Sequence, residues 1–272
     1  MARALVLAAF LATSSAVLVA APADKDPALE RLEKSPRHQE WMDVKRGDRT
    51  IRTFVVFPET KEKAPVVIVI HENKGLTDWV RSVADLLASE GVIAVAPDLL
   101  SGTGPGGGGT KEFKSVDDAT KAIYSVKAET VMADLTAIAG EARKFPAASG
   151  KVAVAGFCWG GGQSFRFATV YPDLAAAFVF YGTPPEKEAL SKVSCPVYGF
   201  YGGNDARVNA TIAPTTQAMK EAGKTYEPVT YEGAGHGFFR AGEEPNASEA
   251  NKKAHQDAWK RWKALLSKLS AK

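Results

Sequence analysis

"KVAVAGFCWGGG", residues 151–162, decides the fold. Val152 to Ala155 is a run of β-branched and small apolar residues, the pattern of a strand buried on both faces. Gly156-Phe157-Cys158-Trp159-Gly160 follows, a cysteine with a glycine two residues to either side. A residue at the apex of a sharp strand-to-helix turn needs a strained backbone. Glycines at those two places remove the clashes that side chains would make. The apex also opens a helix, where free backbone N–H groups and the helix dipole favour a thiolate and a developing oxyanion. The stretch therefore predicts strand, elbow and helix in succession, with Cys158 as a nucleophile.

Outward from the elbow, strands and helices alternate. "APVVIVIHE" (64–72), "VIAVAPDLL" (92–100), "AAAFVFYG" (175–182) and "CPVYGFYGGND" (195–205) read as buried strands. "DWVRSVADLLASEG" (78–91) has helical spacing at Val80, Val83, Leu86 and Leu87 and ends on Gly91, a capping residue. "AETVMADLTAIAGEARKFP" (128–146), "GQSFRFATVYP" (162–172) and "TIAPTTQAMKEAG" (211–223) are further helices, and "SEANKKAHQDAWKRWKALLSKLS" (248–270) is a long amphipathic one. "HQEWMDVKRGDRTIRTFVVFPE" (38–59) reads as two strands about the turn Arg46-Gly47-Asp48, and "YEPVTYEGAGHGFF" (226–239) as a strand leading into a loop. The charged stretch from Asp24 to Ser35 predicts a short first helix. Such alternation predicts an α/β fold: a mostly parallel sheet with helices on both faces, in a single domain.

Lys and Arg total 34 against 31 Asp and Glu, a formal net charge of +3. That balance gives no reason to expect nucleic acid as a partner. Residues 1–23 read as a secretory signal peptide: Arg3 as the positive start, Ala4 to Ala20 as the apolar stretch, and Ala21-Pro22-Ala23 as the cleavage site. An uncleaved anchor is the alternative, but the stretch is short for a span and Thr13, Ser14 and Ser15 dilute it. The expectation is an exported, secreted or periplasmic protein with no membrane attachment after cleavage. Residues 24–272 then form the folded domain, expected to be a monomer. "GTGPGGGGTK" (102–111) lacks the Gly-Lys-Ser/Thr order of a phosphate loop and reads as a flexible surface loop bordering the ligand edge of the sheet.

Cys158 and Cys195 are the only cysteines. Cys195 opens its strand and Cys158 follows the end of another. In a parallel sheet those are opposite edges, about 17 Å apart, whereas a disulfide needs Cα atoms within about 7 Å. No bridge is expected.

Two partners for Cys158 follow along the chain. Asp205 comes just after a strand in "YGGNDARV", and His236 after another in "GAGHGFF". Nucleophile, acid, histidine is the chain order of α/β-hydrolases. His236 would move protons while Asp205 holds its tautomer and stabilises the imidazolium. His71, in "VIVIHENKG", is the competing histidine. The loop after that strand would supply one oxyanion donor, the backbone N–H of Asn73, and Trp159 the other.

These motifs carry a resemblance. "HENKG", "APDLL", "GFCWGG", "GFYGGND", "GHGFFR" and the end helix "HQDAWKRW" together resemble the dienelactone hydrolase (carboxymethylenebutenolidase) family, in its exported branch, over residues 38–268. The resemblance implies an α/β-hydrolase fold and a triad of Cys158, Asp205 and His236. It implies that Glu72 interacts with the cysteine at rest and releases it when substrate binds, and that Arg240 holds a substrate carboxylate. The implied reaction is hydrolysis of an enol-lactone such as dienelactone to maleylacetate through an acyl-enzyme, with no metal or organic cofactor. One departure stands out. A second arginine is usual shortly after "PDL", where this chain has Leu100, Ser101 and glycines; Arg207 is the available stand-in. The alternatives are a thiol-dependent esterase or thioesterase on another substrate, and a non-catalytic periplasmic binder of small carboxylates.

Overall fold

The computed structural model describes residues 26–270, so the predicted leader, residues 1–23, lies outside the described residues. The strands are β1 (Gln39–Arg46), β2 (Arg49–Val56), β3 (Ala64–Ile70), β4 (Ile93–Pro97), β5 (Ala148–Phe157), β6 (Leu174–Phe180), β7 (Val197–Gly202) and β8 (Tyr226–Tyr231). The helices are α1 (Pro27–Lys34), α2 (Asp78–Ser89), α3 (Val116–Ser125), α4 (Ala128–Ala142), α5 (Trp159–Phe167), α6 (Ala206–Asn209), α7 (Ile212–Glu221), α8 (Phe238–Ala241) and α9 (Glu249–Ser270).

The strands form one sheet in the order β1-β2-β4-β3-β5-β6-β7-β8. β2 runs antiparallel to both its neighbours, and every pairing from β4 across to β8 is parallel. The mostly parallel α/β sheet expected from the alternation is the sheet observed. Gly47 closes the β1–β2 hairpin at φ 57°, a conformation that side chains resist.

Successive residues of a strand point to opposite faces, and here each face has its own core. Val66, Ile68 and Ile70 of β3 and Val152 and Val154 of β5 pack with Ile123, Leu135, Ile138 and Phe165 from α3, α4 and α5. Val67 and Val69 of β3 and Ala153, Ala155 and Phe157 of β5 pack with Val80, Val83 and Leu87 of α2 and Trp262 and Leu265 of α9. That two-sided burial is why β3 and β5 read as continuous apolar runs. Each fully buried Val, Leu or Ile stabilises by about 1.5–3 kcal/mol. Beneath the carboxyl end of the sheet, Phe180 stacks on Phe200 with centroids 4.2 Å apart, and Trp262 lies 4.7 Å from Phe180.

A buried charge cluster fixes the carboxyl end of β4. Asp134 of α4, fully buried, accepts from Arg46 and Arg49, each at 2.7 Å. Arg49 also donates to the carbonyls of Leu99 and Ser101, where the glycine-rich loop begins.

That loop departs from its reading as a flexible connector. Asp98 accepts from the backbone N–H and the hydroxyl of Thr110, both at 2.7 Å, and Gly104 donates to the Gly108 carbonyl at 2.9 Å. Closed on itself in this way, it lines a 510 Å³ cavity with Trp41, Arg52 and Leu76, and that cavity does not include Cys158.

Both cysteines are free, as expected. Cys195 is buried before β7, and burial pushes its thiol up to about 12. Among the described residues no helix is long and apolar enough to cross a membrane.

Candidate active site

Cys158 follows β5 directly and caps α5 with φ 55° and ψ −114°. A non-glycine residue at such an angle is strained, and its surroundings must hold it there. They do. Its N–H donates to the Phe180 carbonyl at 3.0 Å, and its carbonyl accepts from Gly162 at 3.2 Å. The flanking glycines are forced by space: a Cβ on Gly156 would stand 2.0 Å from the Gly160 carbonyl oxygen, and one on Gly160 would stand 2.3 Å from that of His71. α5 starts at Trp159, three residues before the sequence reading at Gly162, because the turn is tight enough to draw the glycines into the helix.

His236 reaches the thiol from the far side of the sheet edge. Its Nε2 is 3.1 Å from Cys158 Sγ, and its Nδ1 is 2.5 Å from Asp205 Oδ2. Asp205 is 7% exposed and also caps α6, accepting from the Val208 N–H. The loops carrying acid and base are tied together: Asn204 donates to the Ala234 carbonyl at 2.9 Å, and Gly203 to that of Tyr231 at 2.7 Å. His236 is raised from 6.5 to about 9, chiefly by its hydrogen bond with Cys158, with Asp205 adding to the effect and burial opposing it. An imidazole with a carboxylate behind it and a sulfur before it can take a proton from the sulfur and stabilise the resulting charge.

Neither the Asn73 nor the Trp159 backbone N–H donates to a protein acceptor among the described residues. His71, the competing histidine, has a structural place. It is fully buried, with Nδ1 2.7 Å from the Glu72 carbonyl and Nε2 accepting from Leu99 at 3.2 Å. Burial lowers its pKa, consistent with a neutral ring that donates through Nδ1 and accepts through Nε2. The ring stacks on Trp159 at 5.6 Å, tying the β3 loop to the elbow.

Glu72 differs from its expected contact. Its carboxylate is not on the thiol: Oε2 accepts from Arg240 Nε at 2.9 Å. Arg240 also donates to Glu244 at 3.1 Å, so this predicted carboxylate-binding side chain already holds two carboxylates. Glu72 and Arg240 line a 430 Å³ cavity with Lys74 and Trp79. Cys158 and Trp159 line another, of 170 Å³, with Tyr124, Gln163, Arg166, Tyr181 and Arg207 among its walls.

Sequence reasoning passed over Tyr181, Tyr124 and Arg166. Tyr181, just after β6, is the only other described non-glycine residue at positive φ, 40°. It is 1% exposed, its ring lies 5.1 Å from that of His236, and its hydroxyl has no partner among the described residues. Burial first, then the charges of Glu72 and Cys158, hold its pKa well above the usual phenol value. Its one available signal was its place at a strand's carboxyl end, as with Cys158. No group of three or more His, Cys, Asp or Glu among the described residues could hold a metal ion.

A mostly parallel sheet with Cys158, Asp205 and His236 on loops at its carboxyl edge defines the α/β-hydrolase class. Comparison narrows the class. Residues 51–270 match the model of the dienelactone hydrolase family. A protein of Saccharolobus solfataricus that carries the carboxymethylenebutenolidase name is 30% identical over 254 residues, covering 81% of this chain and 95% of that one. One from Salmonella typhimurium with the same name is 31% identical over 209 residues, covering 72% and 74%. The crystal structure of a Klebsiella pneumoniae protein described as a dienelactone hydrolase superposes with a TM-score of 0.75 at 26% identity, covering 85% of this chain and 98% of that one. The chain belongs to the dienelactone hydrolase family and is a hydrolase of its carboxylic-ester class.

Proposed function

We infer that the protein hydrolyses an enol-lactone or small carboxylic ester, dienelactone-type, through a Cys158–His236–Asp205 triad and an acyl-enzyme. The observation that carries this reading is the 3.1 Å approach of His236 Nε2 to Cys158 Sγ with Asp205 hydrogen-bonded behind the ring. His236 takes the thiol proton and the sulfur attacks the ester carbonyl. The oxyanion forms against the Asn73 and Trp159 N–H groups, a pair of donors worth several kcal/mol where water is excluded. His236 then returns the proton to the leaving oxygen, freeing an alcohol or enol and leaving a thioester on Cys158. Water, deprotonated by neutral His236, attacks that thioester and regenerates the thiol. Asp205 keeps the Nδ1 proton in place throughout. With Glu72 on Arg240, the thiol is free of the glutamate, as the family resemblance implies for the substrate-bound enzyme.

The leader read at residues 1–23 supports an exported, periplasmic or secreted enzyme, and a monomer acting on small molecules completes the proposal. The test is hydrolysis of cis- and trans-dienelactone, p-nitrophenyl acetate and an acyl thioester by wild type and Cys158→Ala. Turnover of the lactones that vanishes in the variant is expected. Thiol-dependent cleavage of simple esters or thioesters alone would move the substrate elsewhere. No turnover, with retained binding of small carboxylates, would replace the enzyme by a binder.

A further inference from the structure

We propose that Arg166 and Arg207 form a carboxylate-binding subsite beside Cys158, so that the substrate is an ester or lactone whose own carboxylate points away from Arg240. This rests on the ester-hydrolase reading and specifies its substrate.

Arginine usage carries the inference. Arg31, Arg37, Arg46, Arg49, Arg52, Arg81, Arg143 and Arg240 each pair with a carboxylate, and Arg261 donates to the carbonyls of Gly199 and Glu227. Among the described residues only Arg166 and Arg207 hold neither, and both line the 170 Å³ cavity with Cys158. None of the cavity's lining residues is acidic. Two guanidiniums without an ion-pair partner in one concave wall raise the positive potential there. Guanidinium presents the planar fork that matches a carboxylate.

Their placement is built by the fold. Trp159, Gln163 and Arg166 recur at the spacing of one helix face, so α5 presents the nucleophile at its start and a cation in its last turn to the same cavity. Arg207 follows Asp205 by two residues in α6, which sets it beside the triad's acid. Tyr181 lines the same wall with its buried, unpartnered hydroxyl, a donor without an acceptor. Arg240, by contrast, is held by Glu72 and Glu244 and lines the other cavity. The arginine missing after "PDL" is thus replaced from a different direction, and the small volume restricts the occupant to a short chain.

The experiment compares kcat/KM for mono-p-nitrophenyl succinate, an acid, with that for p-nitrophenyl butyrate, its neutral counterpart. Wild type, Arg166→Gln, Arg207→Gln and the double variant are assayed. The wild-type ratio of acid to neutral ester should exceed ten, and each substitution should lower it roughly tenfold, the scale of one charge-assisted contact. A wild-type ratio near one, or a ratio that survives in the double variant, overturns the subsite. If wild type cleaves neither ester, the hydrolase reading is left to the lactone assay, and failure there overturns it. The subsite is then decided by Cys158 alkylation: the iodoacetate-to-iodoacetamide rate ratio must fall in the double variant, and an unchanged ratio overturns the proposal.

Discussion

Two glycine-rich turns stand at the same edge of the sheet, and their glycines are there for different reasons. At the elbow, residues 156–162, backbone touches backbone: a Cβ on Gly156, Gly160 or Gly161 would come within 2.0, 2.3 or 2.5 Å of a carbonyl oxygen. In the loop of residues 102–109, Gly106 and Gly107 take φ of 67° and 81° with nothing within 4 Å. Space demands glycine at the elbow, and backbone conformation demands it at the tip of the loop; Gly104, whose Cβ would stand 2.6 Å from the Gly109 carbonyl oxygen, is the loop's elbow-like position. A rigid carbonyl cannot move aside, whereas a left-handed angle can be adopted at a modest penalty. The elbow therefore tolerates less than the tip of the loop.

The comparison can be broken by substitution. Gly160→Ala should have the largest effect, destabilising by about 3 kcal/mol in urea unfolding and slowing iodoacetamide alkylation of Cys158, since the elbow must shift to admit the methyl. Gly109→Ala tests the loop where it is most crowded, because its Cβ would stand 2.3 Å from Asp98 Oδ2. Displacing that carboxylate from Thr110 should cost about 1–2 kcal/mol and leave Cys158 alkylation unaltered. Gly106→Ala, strained only in φ, should cost about 1 kcal/mol by the same measurement. If Gly106→Ala proved as damaging as Gly160→Ala, the distinction between space and conformation would fail.

Proton linkage gives the smallest expected effect, because the His236 side chain is 35% exposed and solvent screens it. Folded His236, raised to about 9, binds its proton more tightly than an unfolded histidine at 6.5. The resulting stabilisation is complete below 6.5 and is lost as pH rises through about 9. Thermal unfolding from pH 6 to 10 should therefore show wild type losing a margin that His236→Gln never had. Equal pH dependence in the two proteins would remove the ring from the linkage.

The elbow was legible because sterics leaves glycine no substitute there, and the meeting of Cys158, Asp205 and His236 because each follows a strand, β5, β7 and β8, in the expected chain order. Other parts had no such mark. α3 was not read, since its buried face is only Ala119 and Ile123 while its other large apolar side chains, Val116 and Tyr124, are 55% and 63% exposed; Ser115, accepting from the Asp118 N–H, marked its start. The glycine loop looked slack because its order comes from side chains outside it: Asp98, 12 residues before Thr110, and Arg49, 52 before Ser101. Whether Glu72 faces the thiol or Arg240 is a matter of side-chain rotation, on which local sequence is silent. Chain order favoured His236 over His71, and the structure adds the physical reason: one ring is enclosed and the other lies on the cysteine.

The unequal surroundings of the two thiols have a practical consequence. Cys195 is 7% exposed and pushed up to about 12, so at neutral pH the folded protein offers a slow alkylating reagent one sulfur. Label incorporated per native chain then counts working centres, and a second equivalent on unfolding supplies the internal calibration. Preparations can be compared by turnover per competent molecule, without knowledge of the natural substrate.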